Sequence, residues 1–208
     1  MTGGAIFDFS NAQKLMEKKR PINFGKFKKK GIKLHVYIAS AEDGKLIVLN
    51  DFKNRKDLLK TINSCMGIPY VTPLFKDGKR HLADAGIITG GLLVEQALAG
   101  GSTHVLVVRS SSSIEIKKHW GEAIYSKLLE YRFPKLAKAY NFASDKHNNA
   151  LRRIKLSEGN LGSIDICDSD IRVGRGEKRS HVLLAGARAG YNAALKKFVG
   201  LEVENEIF

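Results

Sequence analysis

The sequence has few of the residues and patterns that would build a disulfide, a metal site or a membrane span. Two cysteines, Cys65 and Cys167, lie far apart among 208 residues, and no CxxC or HExxH spacing occurs. No apolar run approaches the roughly 20 residues of a membrane-spanning helix. The first residues, MTGGAIFDFS, lack the basic and apolar segments of a signal peptide. These absences predict buried thiols, no metal or other cofactor, and a soluble cytoplasmic protein.

Acidic residues are also scarce relative to basic ones, 21 against 35, which gives a formal net charge of +14. Such an excess favours an anionic partner: nucleic acid, phospholipid head groups or an acidic substrate. The densest cluster is KLMEKKRPINFGKFKKKGIK, where nine basic residues from Lys14 to Lys33 accompany a single acid, Glu17. A solvated lysine-rich face is the alternative, because the cluster lacks the regular aromatic residues that stack on nucleobases.

The hydrophobic pattern of the first half predicts an α/β arrangement. KLHVYIA and KLIVLN are β-rich runs around Asp43-Gly44, which predicts a hairpin, and Asp77-Gly78 indicates a second tight turn. FKNRKDLLKTINSCM has apolar residues three and four apart, which predicts a helix ending before Gly67. LLVEQALAGG predicts a short helix, and the following THVLVVRS is a continuous apolar run typical of a buried parallel strand.

The pattern changes in the second half, which is mainly helical. SSSS (110–113) indicates a loop, and GSIDICDSDIRVG alternates like a half-exposed strand. Trp120, Ile124 and Leu128 are spaced by four, as on one face of a helix, and we expect Trp120 and Tyr140 to pack in the core or against lipid. A last helix is predicted from an apolar face whose members are Leu183, Leu184, Ala187, Tyr191, Ala194, Leu195 and Phe198.

The order of these pieces resembles the second half of a bacterial patatin-like phospholipase. INSCMGIPYVTPLFKDGKRHLADAGIITGGLLVEQALAGGSTHVLVVRS is similar to that family's small residues and proline, hairpin, Asp-Gly-Gly or Asp-Gly-Ala motif, helix and strand. The preceding GAIFDFSNAQKLMEKKRPINFGKFKKKGIKLHVYIASAEDGKLIVLNDF is similar to the stretch before this segment in that family. YRFPKLAKAYNFASDKHNNALRRI, together with AGARAGYNAAL, resembles the C-terminal extension of one bacterial subgroup. The resemblance implies a partial three-layer α/β sandwich, with residues 1–110 as the C-terminal part of the hydrolase domain and residues 111–208 as a mainly helical extension.

The resemblance further implies a serine-aspartate dyad that hydrolyses acyl esters of phospholipids or other lipids, with Asp84 as the base. A serine hydroxyl is a poor nucleophile until an adjacent base accepts its proton. The motif reads Asp84-Ala85-Gly86, and alanine at its middle position argues against a left-handed backbone there. Gly90-Gly91 stands where relatives often carry proline.

The nucleophile of the dyad is missing from the sequence. No serine lies in a Gly-x-Ser-x-Gly context; Ser64, Ser102 and Ser163 all have other neighbours. No glycine-rich loop near the first residue follows a strand and could donate N–H groups to an oxyanion. We therefore expect a chain that carries only the aspartate half of the site, is inactive alone, and lacks a preceding region of the family. Sheet edges left unpaired would then favour self-association.

Other functions and simpler interpretations stay open. The chain is alternatively a non-catalytic basic module that binds protein or an anionic membrane surface through Lys14–Lys33; nucleic-acid binding depends on charge alone and is not favoured. Taken alone, Asp84 is a turn or helix-capping residue. Ser64 is interpreted as the C-terminal residue of a helix, and His81 and His104 as strand residues.

Overall fold

A computed structural model describes residues 14–19, 21–109, 120–156, 162–166, 173–174 and 177–199. The chain groups into two compact units, residues 1–92 with 117–147 and residues 93–116 with 148–208. Its architecture is mixed α/β, as predicted. The patatin-like sandwich stays a prediction, and so does the boundary between residues 110 and 111, which lies outside the described residues.

The helices follow one another along both units. They are α1 (Phe24–Lys29), α2 (Arg55–Ser64), α3 (Gly86–Thr89), α4 (Val94–Ala99), α5 (Trp120–Arg132), α6 (Pro134–Tyr140), α7 (Ala143–Leu156) and α8 (Ser180–Val199), preceded by a π-helical turn, Leu15–Lys19. None of these helices in the described part of the chain is long and apolar enough to cross a membrane.

The first unit contains a four-stranded antiparallel sheet in the order β2-β1-β4-β3. Its strands are β1 (Val36–Ser40), β2 (Lys45–Leu49), β3 (Phe75–Asp77) and β4 (Arg80–Asp84). The two predicted turns are confirmed: Gly44 and Gly78 have φ of 62° and 59°. Glycine adopts this left-handed conformation without the penalty of a Cβ, which is why Asp-Gly marks both hairpins.

Helix α2 is confirmed where the apolar spacing predicts it. Asn54 caps its first turn, because the Asn54 side chain accepts a hydrogen bond from the Asp57 N–H at 2.9 Å. Leu58 and Leu59 are buried. Ser64 is the last helical residue, as predicted.

The core of the first unit lies between the sheet and the pair α5 and α6. Ala39 and Ala83 from neighbouring strands pack with Leu129, Phe133 and Leu136, all of which are buried. Helix α6 starts with a proline, which has no backbone N–H to leave unsatisfied in the first turn of a helix.

Trp120 does not contribute to this core. Its side chain is 82% exposed, so the interpretation of Trp120 as a core residue is wrong. Helix α5 carries apolar residues on two faces, and the face with Leu129 is the one that meets the sheet. Tyr140 is partly buried and packs edge-on against Tyr125, with ring centroids 5.2 Å apart.

The second unit contains a parallel pair, β5 (His104–Val108) and β6 (Gly162–Ile166). The parallel direction predicted for β5 is confirmed. The prediction that the whole strand is buried is wrong: Val107 is buried, whereas Leu106 and Val108 are exposed. The reason is that strand side chains alternate between the two faces of a sheet, so packing on one face buries only every second residue. Helices α4 and α8 contact β5 and β6 respectively.

Candidate functional site

Asp84 is the last residue of β4 and is fixed by backbone hydrogen bonds. It lies opposite Ile38 in the antiparallel pairing of β4 with β1. Its N–H donates to the carbonyl of Gly67 at 2.7 Å, which ties the end of the strand to the segment that follows α2. Its side chain is half-buried. A carboxylate is thus held on a rigid element rather than at the tip of a loop.

One carboxylate oxygen of Asp84 is oriented by the motif itself. The Gly86 N–H donates to Oδ1 at 2.7 Å, an Asx-type turn at the start of α3. Ala85 has φ −59° and ψ −28°, so the middle of the motif is right-handed and accepts alanine without strain. A Cβ at position 86 would lie 3.1 Å from Oδ1, which makes Gly86 the position where the absence of a side chain matters.

Burial raises the pKa of the Asp84 carboxyl, and the hydrogen bond from the Gly86 N–H offsets part of this rise. A carboxylate with a raised pKa is a stronger base than one in water. Its other oxygen, Oδ2, takes part in no hydrogen bond among the residues that the structure describes.

The hydroxyls of Ser40 and Ser64 are hydrogen-bonded to groups other than Asp84. The Ser64 hydroxyl donates to the Lys60 carbonyl at 2.9 Å, and the Ser40 hydroxyl to Asp43 at 2.9 Å. Burial and the nearby charge of Asp84 raise the pKa of the Cys65 thiol to about 11, so it stays protonated at neutral pH. Within the described ranges, no hydrogen bond joins a serine to Asp84.

His81 and His104 are strand residues, as predicted, in β4 and β5. His81 Nδ1 lies 2.5 Å from Glu42 Oε1, and its ring packs against Phe133 at 5.7 Å. His81 precedes Asp84 by three positions on the same strand, so the two side chains point to opposite faces of the sheet. His81 is therefore placed to support the sheet and not to relay a proton from Asp84.

Glycines 90 and 91 end α3 in a conformation that proline cannot adopt. Their φ angles are 72° and 89°, whereas proline is fixed near −65°. The Gly90 carbonyl lies 2.6 Å from His147 Nδ1, and Lys146 donates to the Ile88 carbonyl at 3.0 Å. The first half of α7 is thus hydrogen-bonded to the end of α3, the helix that follows Asp84.

The basic cluster Lys14–Lys33 presents exposed cations in its described part. Lys26, Lys28, Lys29 and Lys30 are all exposed on and after α1. Lys28 Nζ lies 3.8 Å from Asp51 Oδ1, and both side chains are more than half exposed. Such a surface pair contributes little stability.

Neither a metal-binding cluster nor a related protein adds to this description of the site. Searched over the part of the chain that the structure describes, no three His, Cys, Asp or Glu side chains gather in a way that could hold a metal ion. No protein-family model, curated protein or solved structure matches the chain.

The sequence alone does not predict that two residues lie next to Asp84. Gly67 accepts the Asp84 backbone hydrogen bond, and Cys65 lies close enough to be affected by the Asp84 charge. Both belong to SCMGIP, and the glycine in that segment is the signal that another part of the backbone approaches there.

Proposed function

We propose that this chain supplies the aspartate of a serine-aspartate dyad in a patatin-like lipid acyl hydrolase, and that the nucleophilic serine lies outside the chain. The observation that supports the proposal is the environment of Asp84. Its carboxyl is half-buried, has a raised pKa, is fixed through Oδ1 by the Gly86 N–H, and presents Oδ2 without a partner among the described residues.

The proposed chemistry uses that second oxygen. Oδ2 accepts the proton of the serine hydroxyl while the serine oxygen forms a bond to the ester carbonyl carbon. The proton then passes from Asp84 to the alkoxide of the lipid as the ester bond breaks, which leaves an acyl-serine. Water attacks the acyl-serine with Asp84 again as the base, so a fatty acid is released and the serine hydroxyl is restored.

The activity test uses the chain purified with its partners from its source cells. We expect release of fatty acid from phospholipid micelles, and Asp84→Asn should lower kcat by about 100-fold or more, since general bases contribute roughly 10²–10⁴-fold. KM should change little, because Asn preserves the shape of the side chain.

Asp77→Asn is the matched control. Asp77 is an exposed residue of β3 that pairs with Arg80 at 3.2 Å, and its substitution should leave kcat unchanged. Equal activity of Asp84→Asn and wild-type preparations would refute the role of Asp84 as the base.

A second candidate function is supported by the exposed lysines of α1. The basic module binds anionic lipid surfaces through Lys26, Lys28 and Lys29 whether or not the chain is catalytic. Replacing these lysines with glutamine should weaken retention on anionic vesicles, and salt should do the same. Retention on nucleic acid but not on vesicles would favour nucleic-acid binding instead.

A further inference from the structure

Helix α5 carries a second apolar face that the first unit does not bury. Trp120, Ile124, Leu128 and Tyr131, here called the α5 stripe, follow one another at spacings of four, four and three and so lie on one side of the helix. Tyr131 is 92% exposed and Ile124 57% exposed. Large contiguous apolar patches on a protein surface mark contacts with a partner or a membrane.

The fold of the first unit does not require the α5 stripe. The opposite side of the helix supplies the core residue Leu129, and Phe133, which directly follows the helix, is also in the core. Tyr125 also points inward, since its hydroxyl donates to the Pro69 carbonyl at 3.2 Å. The packing of the first unit therefore does not explain why these exposed side chains are apolar, and this points to a contact with another molecule or surface.

We propose that the α5 stripe is a docking face for an anionic phospholipid surface. Trp and Tyr are the side chains enriched where a membrane meets water, because each combines an apolar ring with a polar group. An interfacial helix pairs such residues with cations. Lys127 projects on the same side of α5 as Trp120 and Tyr131, about two turns after Trp120 and one turn before Tyr131, and is exposed.

Charge favours a lipid surface over a second copy of the chain. Helices α5 and α6 contain four basic residues, Lys127, Arg132, Lys135 and Lys138, against two acids, Glu122 and Glu130. Glu122 is turned toward Ser144, whose hydroxyl donates to it at 3.3 Å. A chain of net charge +14 repels its own copies and attracts anionic head groups.

The proposed docking face belongs to the same packed unit as Asp84. Leu129 and Leu136 of α5 and α6 pack in one cluster with Ala83 and Ile87, which flank the Asp84-Ala85-Gly86 motif. The inference rests on the proposed function only in so far as the docked lipid is also the substrate. Lipid binding itself needs no catalysis.

Trp120 is the only tryptophan of the chain, so its fluorescence reports this site alone. The test titrates the full chain with vesicles of phosphatidylcholine containing phosphatidylglycerol, and with phosphatidylcholine vesicles for comparison. We expect Trp120 emission to shift to shorter wavelength with the anionic vesicles and to be quenched by brominated acyl chains. Added salt should weaken the binding.

The variants locate the contact. Ile124→Ser/Leu128→Ser should weaken binding to anionic vesicles roughly tenfold or more, because two apolar side chains no longer enter the interface. Tyr131→Ser, at the most exposed position of the stripe, should also weaken it and cannot remove a core contact. Phe142→Ser, an exposed aromatic residue outside α5, is the control and should bind within about twofold of wild type.

Three outcomes would overturn the proposal. One is vesicle binding without any change in Trp120 emission, which would place the contact elsewhere, such as the lysines of α1. Another is equal binding by wild type and Ile124→Ser/Leu128→Ser. The third is concentration-dependent self-association that the same double variant removes, which would make the stripe an interface between copies. Asp84→Asn should bind vesicles like wild type, so failure of docking and failure of the dyad are distinguished.

Discussion

Gly67→Ala tests the packing that holds Asp84 in place. Gly67 is buried where the chain leaves α2, and its carbonyl accepts the Asp84 N–H at 2.7 Å. A Cβ at this position would lie 2.8 Å from the Leu82 carbonyl oxygen and 3.1 Å from Leu74 Cδ2. The first of these contacts is with the backbone of β4, so no change of rotamer relieves it.

The size of the effect follows from which group must move. Extra methyl groups in a packed interior cost about 1–3 kcal/mol. Because the Leu82 backbone is part of the sheet, the strand itself must shift, and we expect the upper half of the range, about 2–3 kcal/mol of unfolding free energy. The shift displaces Asp84 as well, so hydrolytic activity should fall together with stability.

The assay is urea unfolding followed by far-ultraviolet circular dichroism, since Trp120 is already exposed and reports little on unfolding. Gly121→Ala is the matched control: a Cβ there meets nothing within 4 Å. Alanine in a helix should raise stability by up to about 1 kcal/mol relative to glycine. If Gly67→Ala unfolds at the same or a higher urea concentration than wild type, the described contact between Gly67 and β4 is wrong.

Three further predictions concern the core and the titrating groups of the first unit. Leu136→Ala should lower the unfolding free energy by about 2–5 kcal/mol, since Leu136 is fully buried, and a loss under about 1 kcal/mol in urea unfolding would contradict its place in the core. The raised pKa of Asp84 means that the native state keeps the carboxyl proton to higher pH than the unfolded chain does, so the contribution of Asp84 to stability falls as pH rises from near 3.8 through the native pKa. The unfolding free energy of Asp84→Asn, measured across this pH range, should lack that fall. A difference in unfolding free energy between wild type and Asp84→Asn that does not change with pH would refute this prediction. Below pH 9, a Cys65 thiol with a pKa of about 11 rather than 9.0 should be alkylated roughly 100-fold more slowly in the native than in the unfolded chain, as measured by mass spectrometry of its peptide; equal rates would contradict its burial.

Local sequence patterns predict the parts of this fold that depend only on residues close together in the sequence. The Asp-Gly turns at 43–44 and 77–78 are predictable because only glycine accepts their positive φ without cost. Helix α2 is predictable because a cap and a single apolar stripe coincide.

Sequence patterns do not decide which of two apolar faces meets the core. In α5 both the side with Leu129 and the side with Trp120 are apolar, and periodicity alone cannot choose between them. In β5 a continuous apolar run fits burial on both faces, yet only Val107 is buried.

In the candidate site as well, some features can be predicted from the sequence and others depend on the fold. The identity of Asp84 and the composition of its motif are visible in the sequence, and the resemblance to patatin-like phospholipases gives that residue its proposed role. The hydrogen bond from Asp84 to Gly67, the proximity of Cys65 and the direction of the Asp84 pKa depend on segments that only the fold brings together.

Fluorophosphonate labelling read by mass spectrometry tests whether Asp84 activates a serine that lies outside this chain, because the reagent marks activated serines. We expect the isolated 208-residue chain to gain no adduct. In the preparation from source cells, we expect an adduct on a Gly-x-Ser-x-Gly serine outside the chain, and Asp84→Asn should abolish it. An adduct on a serine of the isolated chain that disappears in Asp84→Asn would show that the nucleophile lies within it, and no adduct in either preparation would contradict the dyad.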